Sequence, residues 1–137
     1  MYFLIYRSEA NNLMNDEALK LLLTQSRERN NTLGITGMLV YYDNKFIQLL
    51  EGNEKQVKFV YDSICKDNRH KQVTTLKQGT AKKRLFPGWT MSFRTASNEE
   101  INTEPAYKDI YKPGSPGALD LVSFFNRLRG KADKLDI

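Results

Sequence analysis

The chain has 137 residues, 40% hydrophobic and 27% charged, with a formal net charge of +5. That size and composition suit one globular domain with a sizeable core. One cysteine (Cys65) and one histidine (His70) exclude an internal disulfide framework and a zinc site.

Tyr2 to Tyr6 is predicted as the first strand, with Tyr2, Leu4 and Tyr6 on one face and Phe3 and Ile5 on the other. The polar run from Ser8 to Asn12 reads as a loop. Asn15 is a good N-cap, and Asp16 and Glu17 favour the positive end of the helix that follows. Leu19, Leu22, Leu23 and Ser26 fall on one helical stripe, which Asn30 continues. Two polar side chains are thus expected on the buried face of this helix. Gly34 to Tyr42 reads as the second strand, Asp43-Asn44 as a hairpin turn and Lys45 to Leu50 as the third strand. Gly52 ends it. Asn53 caps a second helix, with Gln56 placed for a capping box and Val57, Val60, Tyr61 and Ile64 as its apolar stripe. Val73 to Gln78 is the fourth strand. Trp89 to Phe93 is the fifth, with Trp89, Met91 and Phe93 sharing a face. Ser115-Pro116 is a helix start, Leu121, Phe124, Phe125 and Leu128 form a stripe, and Gly130 is a stop signal.

The order β-α-β-β-α-β-β predicts an α+β fold on the ferredoxin-like plan with one extra strand. Its five-stranded mixed sheet carries two helices on one face, and the C-terminal helix covers the other. Residues 1–95 form the domain; residues 96–137 supply a connector, Ala96 to Gly114, and the capping helix. No apolar stretch approaches the roughly 20 residues that span a bilayer, and Met1 to Arg7 lacks the basic lead of a signal peptide. A cytoplasmic location with no membrane association is expected. The basic groups Lys82-Lys83-Arg84 and Arg27/Arg29 read as solvated faces, as does His70.

Gln48 interrupts the apolar run Phe46-Ile47-Gln48-Leu49-Leu50. A buried amide left unpaired costs about 1–3 kcal/mol, so something polar must meet it in the core. A protein group would suffice, and so would a bound ring with hydrogen-bonding edges. With the first and third strands paired in parallel at the sheet centre, Tyr6 and Gln48 stand side by side beneath the helices. Leu22 and Ile64 can sandwich a planar ring, and Asn30 can reach into the gap. A flavin fits this chemistry. Its C4=O and N3–H need one donor and one acceptor together, as an Asn amide supplies, and its N5 and O4 accept from a Gln amide. The Gln48 carbonyl can accept from the Tyr6 phenol, linking phenol to amide to ring.

Five motifs bear on this reading: Leu4-Ile5-Tyr6-Arg7-Ser8, Arg29-Asn30-Asn31 before Gly34-Ile35-Thr36-Gly37-Met38-Leu39, Phe46-Ile47-Gln48-Leu49-Leu50-Glu51-Gly52, Asp67-Asn68-Arg69-His70, and Phe86-Pro87-Gly88-Trp89-Thr90-Met91. Together, over roughly Met1 to Arg94, the chain resembles the BLUF family of flavin-binding blue-light sensor domains. The resemblance implies a photoreceptor in which Tyr6 donates an electron and a proton and Gln48 changes its hydrogen bonding, by rotation or by tautomerisation. Asn30 would hold the ring's C4=O/N3–H edge and Arg69 its O2 side, with Asp67 nearby. Asn31 and Ser26 would add contacts, and Ser8 lies near the site in some relatives. Either Trp89 or Met91 would stand beside Gln48 and pass the signal through the fifth strand to the tail. The cofactor expected is FAD, with FMN or riboflavin as alternatives. The tail has no cyclase, phosphodiesterase or DNA-binding pattern, so output is expected through a partner protein or a homo-oligomer, without enzymatic turnover.

Each residue taken alone has a plainer reading: Tyr6, Trp89 and Met91 as ordinary core, Gln48 bonded to backbone or water, Arg69 as surface charge, Asn30-Asn31 as a helix C-cap. Their ordered coincidence favours the sensor. An acylphosphatase-like hydrolase on the same fold would need a glycine-rich phosphate cradle, which Arg7 to Asn12 lacks. An RNA-binding module would need exposed aromatics on central strands with a Lys/Arg-Gly-Phe-type motif, and none is present.

Overall fold

Strand direction in this protein is set by one long helical return. The computed structural model describes residues 1–104, 107, 110 and 120–129. Strand β1 (Tyr2–Ala10) leads into helix α1 (Asp16–Leu33), which carries the chain back so that β2 (Thr36–Tyr42) runs the same way as β1. A tight hairpin at Asp43 and Asn44, both at positive φ, reverses β3 (Lys45–Gly52). Helix α2 (Glu54–Lys66), β4 (His70–Thr80) and β5 (Ser92–Thr95) follow, then α3 (Asn98–Thr103) and α4 (Leu121–Arg129). The sheet order is β4-β1-β3-β2-β5. β3 inserts between β1 and β2 and pairs antiparallel with both, while β2 and β5 pair in parallel. The parallel pairing of β1 with β3 expected from sequence is therefore wrong. A strand that leaves β2 through a two-residue turn must oppose it, and so must oppose β1.

The caps form where the sequence places them. The Asn15 side chain accepts from Ala18 N–H, and Asn53 accepts from Lys55 N–H. α1 ends on Gly34 at φ 69, a left-handed C-cap. A Cβ at Gly37 would lie 1.9 Å from the Leu49 carbonyl oxygen, so this close approach of β2 to β3 needs a residue without one. Several boundaries differ from expectation, among them β4, which spans His70–Thr80 where Val73 to Gln78 is expected from sequence, and β2, which starts at Thr36. β1 runs on through the polar stretch to Ala10, because Ser8 and Ala10 face inward and the strand is paired on both sides. β5 starts only at Ser92. The connector holds α3, capped by Ser97 with Glu99 and Glu100 in its first turn. The Ser115-Pro116 start and the Gly130 stop lie outside the described residues.

Two apolar clusters flank the sheet. Leu19, Leu22 and Leu23 of α1 and Val57, Val60 and Ile64 of α2 cover Tyr2, Leu4, Tyr6, Leu39 and Phe46. On the opposite face, Leu121, Phe124, Phe125 and Leu128 of α4 pack with Tyr107 and Ile110 over Ile5, Met38, Val40, Ile47 and Leu49. With both faces covered, the central strands offer no aromatic platform on which nucleic-acid bases could stack. No helix among the described residues is long and apolar enough to cross a membrane. Phe124 is fully buried against Tyr107 and Phe125. Phe124→Ala should lower the unfolding free energy by about 3–5 kcal/mol. Urea titration checks this, and a loss below about 1 kcal/mol would contradict α4 as a cover of the sheet.

Candidate functional site

The site starts from one register pair. Tyr6 on β1 lies directly opposite Gln48 on β3, and Gln48 lies opposite Leu39 on β2. The Tyr6 hydroxyl donates to Gln48 Oε1. Gln48 Nε2 donates to the sulfur of Met91 at 3.2 Å. All three side chains are buried. A primary amide offers two N–H donors and a carbonyl with two lone pairs. Among the described residues, one N–H and one lone pair of Gln48 stay unused. Asn30 is in a similar condition. Its Nδ2 donates to the Thr90 carbonyl at 2.8 Å, and its Oδ1 accepts from Arg29 Nε at 3.3 Å, so one amide N–H remains unused.

A cleft of about 30 Å³ runs between α1 and α2 down to this pair. Leu22, Leu39 and Ile64 give it apolar walls; Gln25, Arg29, Asp67, Arg69 and His70 edge it with polar groups. A three-ring guest is larger than this, so it needs the side chains lining the cleft to move apart. The backbone of α2 approaches β1, β3 and β4 closely, whereas α1 makes no comparable approach to α2. The seam between the helices is thus filled by side chains, which can turn aside without breaking backbone hydrogen bonds. The donor set suits a flat heterocycle with carbonyl and N–H edges: buried amides with spare capacity at depth, apolar faces alongside and cations at the rim. Arg69 grips Asp67 through Nε and Nη2 (2.6 Å for the latter) and donates from Nη1 to Gln25 at 2.8 Å. These hydrogen bonds hold the Asp67 carboxyl below its usual range. Of the five guanidinium N–H donors, two remain available.

His70 is not on the surface as its polar neighbours suggest. It is 7% exposed, with Nδ1 2.8 Å from Ser8 Oγ and its ring 4.7 Å from that of Phe46. Its inward turn follows from an irregularity at the start of β4. Gln72 takes φ 52 and the β1–β4 register shifts between Arg7 and Glu9, which brings Ser8 and His70 together. Burial pushes the imidazole down to about 4, with the Arg69 and Arg29 cations adding to the shift and Asp67 opposing it.

Of the residues predicted for the site, Tyr6, Leu22, Ser26, Gln48, Ile64, Asp67 and Arg69 line the cleft. Asn30 and Met91 sit buried behind it, tied through Thr90 and Gln48. Ser8 lies beneath it and meets His70. Asn31 is exposed, because it is the helix position next to the buried Asn30 and points off the stripe. Trp89 does not share a face with Met91: it is 43% exposed, outside β5, and Met91 is the residue beside Gln48. Strand alternation fails there because the carbonyls of Trp89, Thr90 and Met91 accept from Gly37 N–H, Asn30 and Arg27 instead of a ladder partner. Sequence reasoning missed Gln25, Arg29, Leu39 and His70. Leu39 follows from the antiparallel register, and Arg29 and Gln25 from their adjacency to Asn30 and Ser26. For His70, no sequence signal separates it from a surface residue.

Comparison with known proteins gives a consistent picture. A family model described as "BLUF: Sensors of blue-light using FAD" matches residues 1–92. The blue light- and temperature-regulated antirepressor BluF of Escherichia coli (strain K12) is 38% identical over 86 residues, covering 61% of this chain and 21% of the relative. The photoactivated adenylate cyclase subunit beta of Euglena gracilis is 32% identical over 108 residues, 78% of this chain and 12% of that protein. The chain thus spans less than a quarter of the length of these curated relatives. Among solved structures, "BlsA ground state" aligns with a TM-score of 0.78 at 28% identity, over 98% of this chain and 91% of that one. "BlrB - a BLUF protein, dark state structure" gives 0.78 at 26% identity, over 95% and 96%.

The chain's single histidine makes the buried imidazole directly observable. The folded protein holds it neutral where the unfolded chain would protonate it, so its contribution to stability is present above about pH 6.5 and is lost as pH falls toward about 4. In NMR, the His70 ring protons should titrate with a midpoint near 4. A midpoint near the ordinary value of about 6.5 would contradict the buried placement.

Proposed function

The chain belongs to the BLUF family, sensors of blue light that use FAD, and from that membership we propose how its own residues perform the sensing. The observation that carries the proposal is the buried file from Tyr6 through Gln48 to Met91. The group to be held is a flavin, and FAD is the form we propose. Asn30 would hold the C4=O/N3–H edge with its remaining N–H and carbonyl lone pair, keeping its bond to Thr90. Arg69 would use its spare N–H groups at the O2 side, with Asp67 orienting the guanidinium. Gln48 would turn its unused N–H toward N5 and O4, and Leu22 and Ile64 would flank the ring. Ser26 would add a contact at the wall. Bound there, the flavin supplies blue-light absorption and, when excited, a strong pull on an electron.

Tyr6 is the group built to answer that pull. Its phenol is buried and already donating to an amide, so an electron and the phenolic proton can leave together without stranding a charge in the core. Gln48 receives the change at Oε1. Any rearrangement of its amide, by rotation or tautomerisation, alters what Nε2 offers to Met91. Met91 is fixed by its neighbours, because its carbonyl accepts from Arg27 Nε at 2.9 Å and the preceding carbonyl accepts from Asn30. A change at Gln48 therefore reaches both α1 and β5. From β5 the path leads to α3 and α4, and we propose contact with a partner protein or a second copy as the output. On this reading the 137 residues turn over no substrate. The cyclase and antirepressor relatives are much longer proteins, of which this chain matches 12% and 21%.

Tyr6→Phe and Gln48→Leu test the file. Both variants should retain bound flavin at near wild-type stoichiometry and lose the light-induced spectral shift, at least tenfold in amplitude. A normal photocycle in either variant would remove the proposed role of Tyr6 and Gln48.

A further inference from the structure

The far face of the sheet carries an opening at its margin. Met1, Phe3, Leu85 and Val122 ring a void of about 90 Å³, with Ile5 and Leu49 as its floor. The floor is buried, whereas the ring residues are half-buried or exposed. Single apolar side chains at a surface need no explanation, but four around one opening do. Size limits what can enter. An apolar cavity of roughly 150 Å³ takes a benzene ring, so this one suits a single aliphatic side chain. Its floor lies directly behind the candidate site. Ile5 and Leu49 face each other across β1 and β3, and they adjoin the next register pair, Tyr6 opposite Gln48. Strand alternation puts the two pairs on opposite faces, one toward the cleft and one toward this opening.

The rim of the opening is basic. Lys83 lines it. Lys77 on β4 stands directly across from Ile5, so its side chain leaves from the same face. Arg129, at the end of α4, donates to the Leu85 carbonyl at 3.2 Å, which holds its guanidinium at the mouth. All three cations are exposed. Of the nearby carboxylates, Glu51 is buried and occupied by Thr36 and the N–H groups of Leu85 and Phe86. Asp120 caps α4 by accepting from Ser123 N–H at 3.0 Å, and it feels the charge of Lys77. Cations are left in excess.

We propose that this opening seats one aliphatic side chain of a partner protein, carried on a segment rich in aspartate and glutamate. The inference rests on the output reading above and adds the chemistry of the partner to it. The aliphatic side chain would bury itself against Ile5 and Leu49, and the flanking carboxylates would meet Lys77, Lys83 and Arg129. Charge argues against a second copy, because a two-fold contact through this patch sets the same cations against each other. A nucleic acid would meet the cations but leave the apolar opening unfilled.

The test is NMR titration of the full-length, flavin-loaded protein at low ionic strength with blocked heptapeptides. The first has a central leucine and three glutamates on each side; the second has serine at the centre; the third has lysines in place of the glutamates. The leucine–glutamate peptide should move the amide resonances of Leu85 and Val122 and bind at least about tenfold more tightly than either control. Lys83→Glu combined with Arg129→Glu, both at exposed positions, should abolish that binding and leave the light-induced shift of the flavin band unchanged. Equal binding of the serine peptide would overturn the apolar seat, and equal binding of the lysine peptide would overturn the charge argument. Resonance changes confined to another surface would overturn the location. Tighter binding of a DNA duplex, or self-association of the wild type that the double variant abolishes, would overturn the choice of partner. Absence of peptide binding in a protein whose flavin band still shifts would overturn the docking surface and leave the sensing proposal intact.

Discussion

A buried amide with more hydrogen-bonding capacity than its neighbours consume is the constraint on which this structure turns. Gln48 sits in the middle strand of the sheet, where an apolar residue would pack at no polar cost. The chain meets that cost in part, with one phenol and one thioether. A thioether is a weak acceptor, so the Nε2–Met91 bond is one that a better acceptor can displace. That imbalance gives the site its capacity to change. A fully satisfied amide would be rigid, whereas Gln48 can trade one modest partner for another at little cost.

Under the proposed mechanism the surroundings would convert a local exchange into a mechanical one. Three successive carbonyls, those of Trp89, Thr90 and Met91, are held by β2 and α1 through Gly37, Asn30 and Arg27. Glu51 holds the other end of the same loop: its buried carboxylate accepts from the backbone N–H groups of Leu85 and Phe86 at 2.9 and 2.8 Å and from Thr36. The segment between β4 and β5 is held by hydrogen bonds at Leu85, Phe86 and Trp89 to Met91, with the Met91 side chain facing Gln48. Movement of Met91 would therefore strain the hydrogen bonds that the Thr90 and Met91 carbonyls accept from Asn30 and Arg27 of α1. The far face of the sheet, under α4, is lined by buried apolar side chains, with a void of about 90 Å³ between Ile5, Leu49 and Val122 at its margin.

Much of this was legible in the chain. The helical stripe from Leu19 to Asn30 places two polar residues on a buried face, and both are buried. The hairpin and both N-caps are local chemistry and form, although Asn53 accepts from Lys55 N–H and not from the Gln56 N–H of the expected capping box. What failed was non-local. The antiparallel pairing of β1 with β3 depends on how α1 returns the chain, which no periodicity encodes. The continuation of β1 through Ser8 depends on His70, and the burial of His70 on an irregularity at Gln72 with its left-handed backbone. Trp89 and Met91 have the spacing of a strand but lie in a segment whose carbonyls are claimed by α1. Polar side chains whose partners lie far away in sequence read as surface until the fold brings them together.

The proposed sensing depends on a flavin seated against Gln48 and answering to light through it. Its most direct measurement is the absorption spectrum of the purified wild-type chain, recorded in darkness, after blue illumination and after a return to darkness. A yellow protein whose flavin band moves slightly to the red and then recovers is the predicted result. A colourless protein from a flavin-replete host, or a bound flavin whose band does not move, would contradict it.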